Sequence, residues 1–75
     1  MAQKNVVAEM SGTVIEINCL AGATVAEGDA LLVLESMKME VPLMATQGGK
    51  VVDVQVAVGD SVADGQVLVV IDIGQ

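Results

Sequence analysis

Apolar and polar residues alternate in two stretches of the chain. Ile15, Ile17 and Cys19 alternate with polar residues, and residues 52–56 repeat this pattern. A period of two predicts a half-buried strand. Each stretch leads through glycine turns to an apolar run, residues 30–34 or 67–71, which is typical of a well-buried strand. With further strands expected at 6–9, 24–25, 41–44 and 61–62, the pattern predicts about four strands in each half and no helix.

The two halves of the chain repeat one another. Residues 12–35 align with residues 49–72 without a gap at a constant offset of 37, so that Gly22 matches Gly59 and Gly28 matches Gly65. We expect these glycines to be turn residues and not a phosphate-binding loop. Two units that each have an apolar face predict an all-β fold, a flattened barrel of two four-stranded antiparallel sheets with pseudo-two-fold symmetry. We interpret residues 1–75 as a single domain.

The junction between the halves is residues 35–40, Glu-Ser-Met-Lys-Met-Glu. Tight hairpins favour Asn-Gly, Asp-Gly or Gly-X, because the central residues need positive φ. Met37 and Lys38 occupy this corner instead, and a broken local rule between two good strands indicates a functional site. The internal symmetry predicts that Lys38 lies at a free tip, at the opposite end of the domain from the chain termini.

Each residue at this corner has a plain structural interpretation beside the functional one. Lys38 is either a polar loop tip or a functional amine, whereas we expect Lys4 to lie in a frayed N-terminus and Lys50 to begin a strand. Met37 and Met39 are either core methionines at strand ends or an adaptable apolar platform around the lysine. The remaining positions, Glu35, Ser36 and Glu40, form the context of the hairpin.

Composition excludes several classes of function. The net charge of −7 and the absence of aromatic residues argue against nucleic acid. Histidine is absent and Cys19 is alone, so no zinc site or disulfide framework is expected, and we interpret Cys19 as a small buried hydrophobe. No apolar run approaches a membrane span. We therefore expect a cytoplasmic protein without an enzymatic site of its own. The start at Met1 favours a free subunit, although a domain cut from a longer protein would look the same.

The residues 35–40 closely resemble the attachment motif of the biotinyl domain, the biotin carboxyl carrier module of biotin-dependent carboxylases and decarboxylases. The resemblance covers nearly the whole chain, including residues 12–14 and the Gly-x-x-Val-x-x-Gly-x-x-Leu spacing in each half. It implies the hammerhead or barrel-sandwich hybrid fold, biotin joined covalently to Lys38, and ligase recognition through Met37 and Met39. Ser36 replaces the commoner alanine, Glu9 replaces a frequent proline, and the gapless repeat leaves no room for a thumb insertion.

The resemblance also implies a mechanism. A biotin protein ligase presents biotin as an acyl adenylate, which the Lys38 amine attacks to form an amide. Biotin carried on this swinging arm is carboxylated by a biotin carboxylase and discharged at a carboxyltransferase or decarboxylase. The domain itself supplies no catalytic group, and its contribution is the high effective concentration that tethering gives.

Two other interpretations remain open at the level of sequence. A lipoyl carrier shares the fold and the hairpin lysine, but that family usually has Asp-Lys-Ala at the tip, so Met37 and Met39 favour biotin. An unmodified β-barrel that serves only as a structural or interaction module would leave Lys38 without a role, and it predicts no mass change in the presence of ligase, biotin and ATP.

Overall fold

The computed structural model describes residues 2–74, which form two four-stranded antiparallel sheets. One sheet has the order β1-β8-β6-β3 and the other β5-β4-β2-β7. The all-β prediction is confirmed. The strands are β1 Gln3–Val7, β2 Gly12–Ile17, β3 Thr24–Val25, β4 Ala30–Ser36, β5 Met39–Met44, β6 Gly49–Val54, β7 Ser61–Val62 and β8 Val67–Asp72.

Each sheet takes strands from both halves of the chain. The offset of 37 converts β1 into β5, β2 into β6, β3 into β7 and β4 into β8, so it maps one sheet order onto the other and the pseudo-two-fold is confirmed. The expectation that each half packs as a unit against the other is wrong in this detail. β1 pairs with β8 and β3 pairs with β6, which means that the halves exchange strands.

A β-bulge in each of β2 and β6 changes the predicted alternation. The register shifts between Val14 and Glu16 and, at the equivalent place, between Val51 and Asp53. A bulge inserts one extra residue and reverses which side chains point inward. Val14 and Val51 are therefore buried, whereas Val52, which simple alternation places on the apolar face, is 44% exposed.

The core is made of aliphatic side chains from the central strands of both sheets. The apolar runs at 30–34 and 67–71, predicted to be buried strands, supply five of the seven largest fully buried side chains in the described part of the chain. Strand β4 lies between β2 and β5, and its inward side chains are fully buried. It therefore forms a rigid base for residues 37–38, which follow its last residue. The most deeply buried large residues are Val14, Leu31, Leu32, Leu34, Val51, Leu68 and Val69.

The glycine turns tie the two sheets together. The N–H of Gly22 donates to the carbonyl oxygen of Val51 at 2.7 Å, and the N–H of Gly59 donates to that of Val14 at 2.8 Å. Both glycines have positive φ, 94° and 97°, which confirms the prediction that they serve backbone geometry. Within residues 2–74 no helix has the length and apolar character needed to cross a membrane.

Candidate functional site

Strands β4 and β5 form a hairpin whose loop is only Met37 and Lys38. Ser36 pairs with Met39 to close the loop. Met37 has a φ of 53° and Lys38 a φ of 67°, so both central residues lie in the left-handed region, as the primed hairpin turns require. Non-glycine residues cost about 1–2 kcal/mol each in this region. The predicted conflict between residue type and turn geometry is therefore present in the fold.

The internal repeat supplies a comparison for this strained position. Gly74, which the offset of 37 relates to Met37, has a φ of 76°. The same backbone region is thus adopted at equivalent places in the two halves, once by glycine and once by methionine. Glycine satisfies the geometry without steric cost. The methionine at the hairpin indicates that a side chain is favoured there for a reason other than folding.

Lys38 is exposed at the tip of this hairpin. The side-chain hydrogen bonds among residues 2–74 lie elsewhere, mostly at turns and at the end of β8. The prediction of a free, solvent-accessible amine is confirmed. A primary amine held this way is open to any partner that approaches the end of the domain.

The tip lies at the opposite end of the domain from the ends of the described chain. Gln3 pairs with Asp72, and the N–H of Ile73 donates to the carbonyl oxygen of Ala2 at 2.8 Å. Gly49 packs against Asp72 and pairs with Val25 of β3, and a short turn leads from β3 into β4. Strand β4 therefore begins at the end of the domain where Gln3 and Asp72 lie. β4 then runs seven residues, about 23 Å at ~3.3 Å per residue, to the tip. The domain is 37 Å long and 18 Å wide, so Lys38 is far from both ends of the described chain.

The two methionines beside the lysine are exposed. Met37 is 91% and Met39 65% exposed, so the interpretation of them as core residues is wrong. The strand spacing that would bury them does not continue through the corner, because the chain reverses direction between them. They surround the Lys38 position with apolar surface that remains free for contact with another molecule.

Two carboxylates face each other directly below the tip. Glu35 pairs with Glu40 across β4 and β5, and both side chains are exposed. Because the Ser36–Met39 pair closes a two-residue hairpin, the next pair is of the non-hydrogen-bonded kind, with Cα atoms about 4.5 Å apart. Like charges directly opposite are destabilising. At the equivalent place in the other half, Asp72 faces the neutral Gln3.

A glycine that pattern reasoning did not place in the site supports the base of the hairpin. A Cβ atom on Gly12 would lie 2.7 Å from the carbonyl oxygen of Glu35 and 3.5 Å from Cβ of Ser36, which is itself half-buried. Only glycine permits β2 to approach β4 this closely. The signal in the sequence is the matching Gly49 of the repeat, where a Cβ would lie 2.5 Å from the carbonyl oxygen of Asp72.

The other two lysines lie within ladder strands. Lys4 pairs with Ile71 in β1, so the expectation of a frayed N-terminus is wrong at this residue. Lys50 follows the first residue of β6 and pairs with Thr24, in agreement with its interpretation as a strand-entry residue. Neither lysine occupies a turn, whereas Lys38 does.

The remaining reactive side chains form no second site within the described part of the chain. Cys19 is buried, as predicted, and desolvation raises the pKa of its thiol. A raised pKa disfavours the nucleophilic thiolate. No group of three His, Cys, Asp or Glu side chains among residues 2–74 is placed to hold a metal ion.

Comparison with known proteins finds a family that matches most of the chain and curated relatives that match about half of it. A family profile described as biotin-requiring enzyme, of the biotin/lipoyl type, matches residues 4–71. Over 35 residues the chain is 54% identical to the gamma subunit of methylmalonyl-CoA decarboxylase from Propionigenium modestum, covering 47% of this chain and 26% of that subunit. Over 42 residues it is 45% identical to a biotinylated protein TB7.3 homolog from Mycolicibacterium smegmatis, covering 56% of this chain and 59% of that protein.

Solved structures with the same fold are parts of much larger carboxylases. A single-chain, multi-domain long-chain acyl-CoA carboxylase matches 91% of this chain with 7% of its own length, a TM-score of 0.86 and 37% identity. Urea carboxylase from Kluyveromyces lactis matches 96% of this chain with 6% of its own length, a TM-score of 0.89 and 29% identity. The chain thus spans a small fraction of these carboxylases and 59% or less of the two sequence relatives.

Proposed function

The chain belongs to the biotin/lipoyl family of biotin-requiring enzymes, and on that basis we propose that it is a biotin carboxyl carrier whose attachment residue is Lys38. Biotin is the cofactor that the family description and the biotinylated relative support. The proposal treats residues 1–75 as one carrier domain, and it gives the domain no catalytic group.

One observation carries the proposal: Lys38 is an exposed amine in a two-residue turn with positive φ at both positions. A loop selected only for folding would contain Asn-Gly or a similar pair. The short turn fixes the Cα of Lys38 relative to the buried strand β4, while the flexible side chain is free to reach outward. These are the properties that a covalent arm needs at its base.

The residues present fit an attached biotin. Amide formation requires a primary amine that a ligase can approach, and Lys38 meets that requirement on the described surface. With an acyl adenylate as the activated donor, the amine displaces adenylate and loses a proton to the ligase, so the carrier needs to provide only access and position. When bound, biotin supplies a ring nitrogen that carries a carboxyl group. Met37 and Met39 offer exposed apolar contacts for the ligase on either side of the amine.

Tethering explains what the carrier contributes to catalysis. A group attached to Lys38 cannot diffuse away, and it meets a docked active site at high effective concentration. The rigid β4–β5 base limits the volume that the arm searches. The relatives are a methylmalonyl-CoA decarboxylase subunit and carboxylases of acyl-CoA and urea. These names support partners of the carboxylase or decarboxylase type. The proposal assigns the carrier three partner enzymes: a biotin protein ligase, a biotin carboxylase, and a carboxyltransferase or decarboxylase.

Intact mass spectrometry tests the attachment residue. The purified chain is incubated with biotin protein ligase, biotin and ATP, beside the variants Lys38→Arg, Lys4→Arg and Lys50→Arg. We expect a mass increase of one biotinyl group on the parent and on the Lys4 and Lys50 variants, and no increase on Lys38→Arg. Modification of Lys38→Arg would place the site elsewhere. A parallel incubation with a lipoate ligase and lipoate identifies a lipoyl carrier, and modification in that reaction alone would overturn the assignment to biotin.

A further inference from the structure

The outer strand β1 has a free backbone edge. Among the described residues β1 pairs only with β8, and the hydrogen bond from Ile73 N–H to Ala2 C=O marks Gln3–Asp72 as a non-hydrogen-bonded pair. Pairs of the two kinds alternate along an antiparallel ladder. The N–H and C=O of Gln3 and Asn5 therefore point away from β8, toward the open side of the strand. This is the arrangement to which a further strand can bind.

The equivalent edge of the other sheet is blocked. β5 is the outer strand of that sheet, and the offset of 37 places Pro42 where β1 has Asn5. Proline has no N–H, and on an outer strand it removes a donor that would otherwise face solvent. Of these two edges, β1 keeps its outward donor at this position and β5 does not. The asymmetry selects β1 as the edge that can accept a partner strand.

An apolar groove runs along the open side of β1. Its volume is about 240 Å³, and its apolar walls are Val6 and Val7 from β1 with Leu43 and Met44 from β5. Val7 is 38% and Met44 51% exposed, so part of this apolar surface faces solvent. A strand added to β1 presents every second side chain to one face of the sheet. Apolar side chains at alternate positions of such a strand would cover the groove.

Charge decides what kind of strand fits. The chain carries a net charge of −7, so a second copy would be repelled, whereas a basic segment would be attracted. Lys4 and Glu9, which line the groove, carry opposite charges, so the attraction for a basic segment comes from the charge of the whole domain. We propose that the β1 edge binds an extended, basic segment of a partner protein as an additional strand, with alternate apolar side chains lying in the groove. This mode is β-strand addition, in which main-chain hydrogen bonds give affinity and side-chain pockets give specificity.

The test uses the full chain, labelled with ¹⁵N, and a blocked synthetic peptide of alternating lysine and valine, seven residues long. Addition of the peptide should shift the amide resonances of Asn5 and Val7 and slow their hydrogen exchange. Asn5→Pro, which copies the residue found at the equivalent place in β5, should weaken binding about tenfold, because it removes the outward donor. The same peptide N-methylated at the residues facing β1 should bind as weakly, and a glutamate-valine peptide should not bind.

Several results would overturn the proposal. Resonance shifts confined to β5 or to the hairpin tip would place any binding elsewhere. Equal affinity of the parent for the methylated and unmethylated peptides would show that backbone pairing is not involved, and this comparison decides even if Asn5→Pro fails to fold. Equal binding of the acidic peptide would contradict the choice of a basic partner. None of these measurements requires biotin on Lys38, so their failure is distinct from a failure of the carrier assignment.

Discussion

The substitution Met37→Gly should make the fold more stable while it weakens the proposed function. Met37 adopts a φ of 53°, a conformation that glycine reaches without steric conflict. Its side chain is 91% exposed, so its removal takes away almost no buried surface. The equivalent residue in the other half is already glycine, Gly74, with a φ of 76°. The fold therefore tolerates glycine in this backbone conformation.

The size of the effect is the difference of two contributions. Relief of the left-handed conformation contributes about 1–2 kcal/mol. Glycine increases the conformational entropy of the unfolded chain, which opposes this by about 0.4–1 kcal/mol. We expect a net increase of roughly 0.5–1 kcal/mol in the free energy of unfolding. In a domain of this size each kcal/mol raises Tm by about 4–8 °C, so Tm should rise by about 2–8 °C.

The assay is thermal unfolding followed by circular dichroism, with Met39→Gly as the matched control. Met39 lies two residues away in β5 and does not have a positive φ. Glycine at this position should therefore lower the domain's free energy of unfolding by about 0.5–1 kcal/mol. Opposite signs for one substitution at two neighbouring methionines would support the strain argument. A fall in Tm for Met37→Gly as large as for Met39→Gly would refute it. Slower biotinylation of the more stable variant would then assign the methionine side chain to recognition.

Three further predictions concern charge, close packing and burial. Glu40→Gln should raise the free energy of unfolding by about 0.2–1 kcal/mol, because it removes the repulsion with Glu35, and the gain should shrink in high salt. Gly49→Ala should lower it by about 1–3 kcal/mol, since the new Cβ would meet the carbonyl oxygen of Asp72 at 2.5 Å. Burial raises the pKa of Cys19, so the folded state favours the neutral thiol, and stability should fall as the pH rises above the ordinary thiol pKa.

Matched variants make each of these outcomes decisive. The control for Gly49→Ala is Gly48→Ala, whose new Cβ would meet no atom closer than 3.4 Å. Urea unfolding should show nearly the same free energy of unfolding for Gly48→Ala as for the parent. An equal loss of stability in the two variants would contradict the packing argument. Cys19→Val introduces the residue found at the equivalent position 56. Between pH 7 and 10 this variant should lack the part of the pH dependence of stability that comes from the thiol. A persistent pH dependence in that variant would assign the effect to other groups. For Glu40→Gln, an unchanged difference at all salt concentrations would exclude charge repulsion as its cause.

Some features could be predicted from the sequence because they depend on neighbouring residues or on the internal repeat. Apolar runs bounded by glycines are typical of buried strands, and β4 and β8 lie where those runs occur. The repeat at an offset of 37 predicted two equivalent sheets, and the order of strands confirms it. The unsuitable residues at positions 37 and 38 predicted a strained corner, which the positive φ angles show.

The sequence by itself determined the class of fold, the number of strands and the placement of Lys38 in a hairpin turn, because hydrophobic period and turn chemistry are properties of neighbouring residues. Tertiary structure alone decided which strands pair across the halves and where a bulge reverses the alternation at Val14 and Val51. It also decided that Met37 and Met39 are exposed and that Gly12 lies against the hairpin. These outcomes depend on contacts between residues distant in the chain, and no local pattern records how closely two such segments approach.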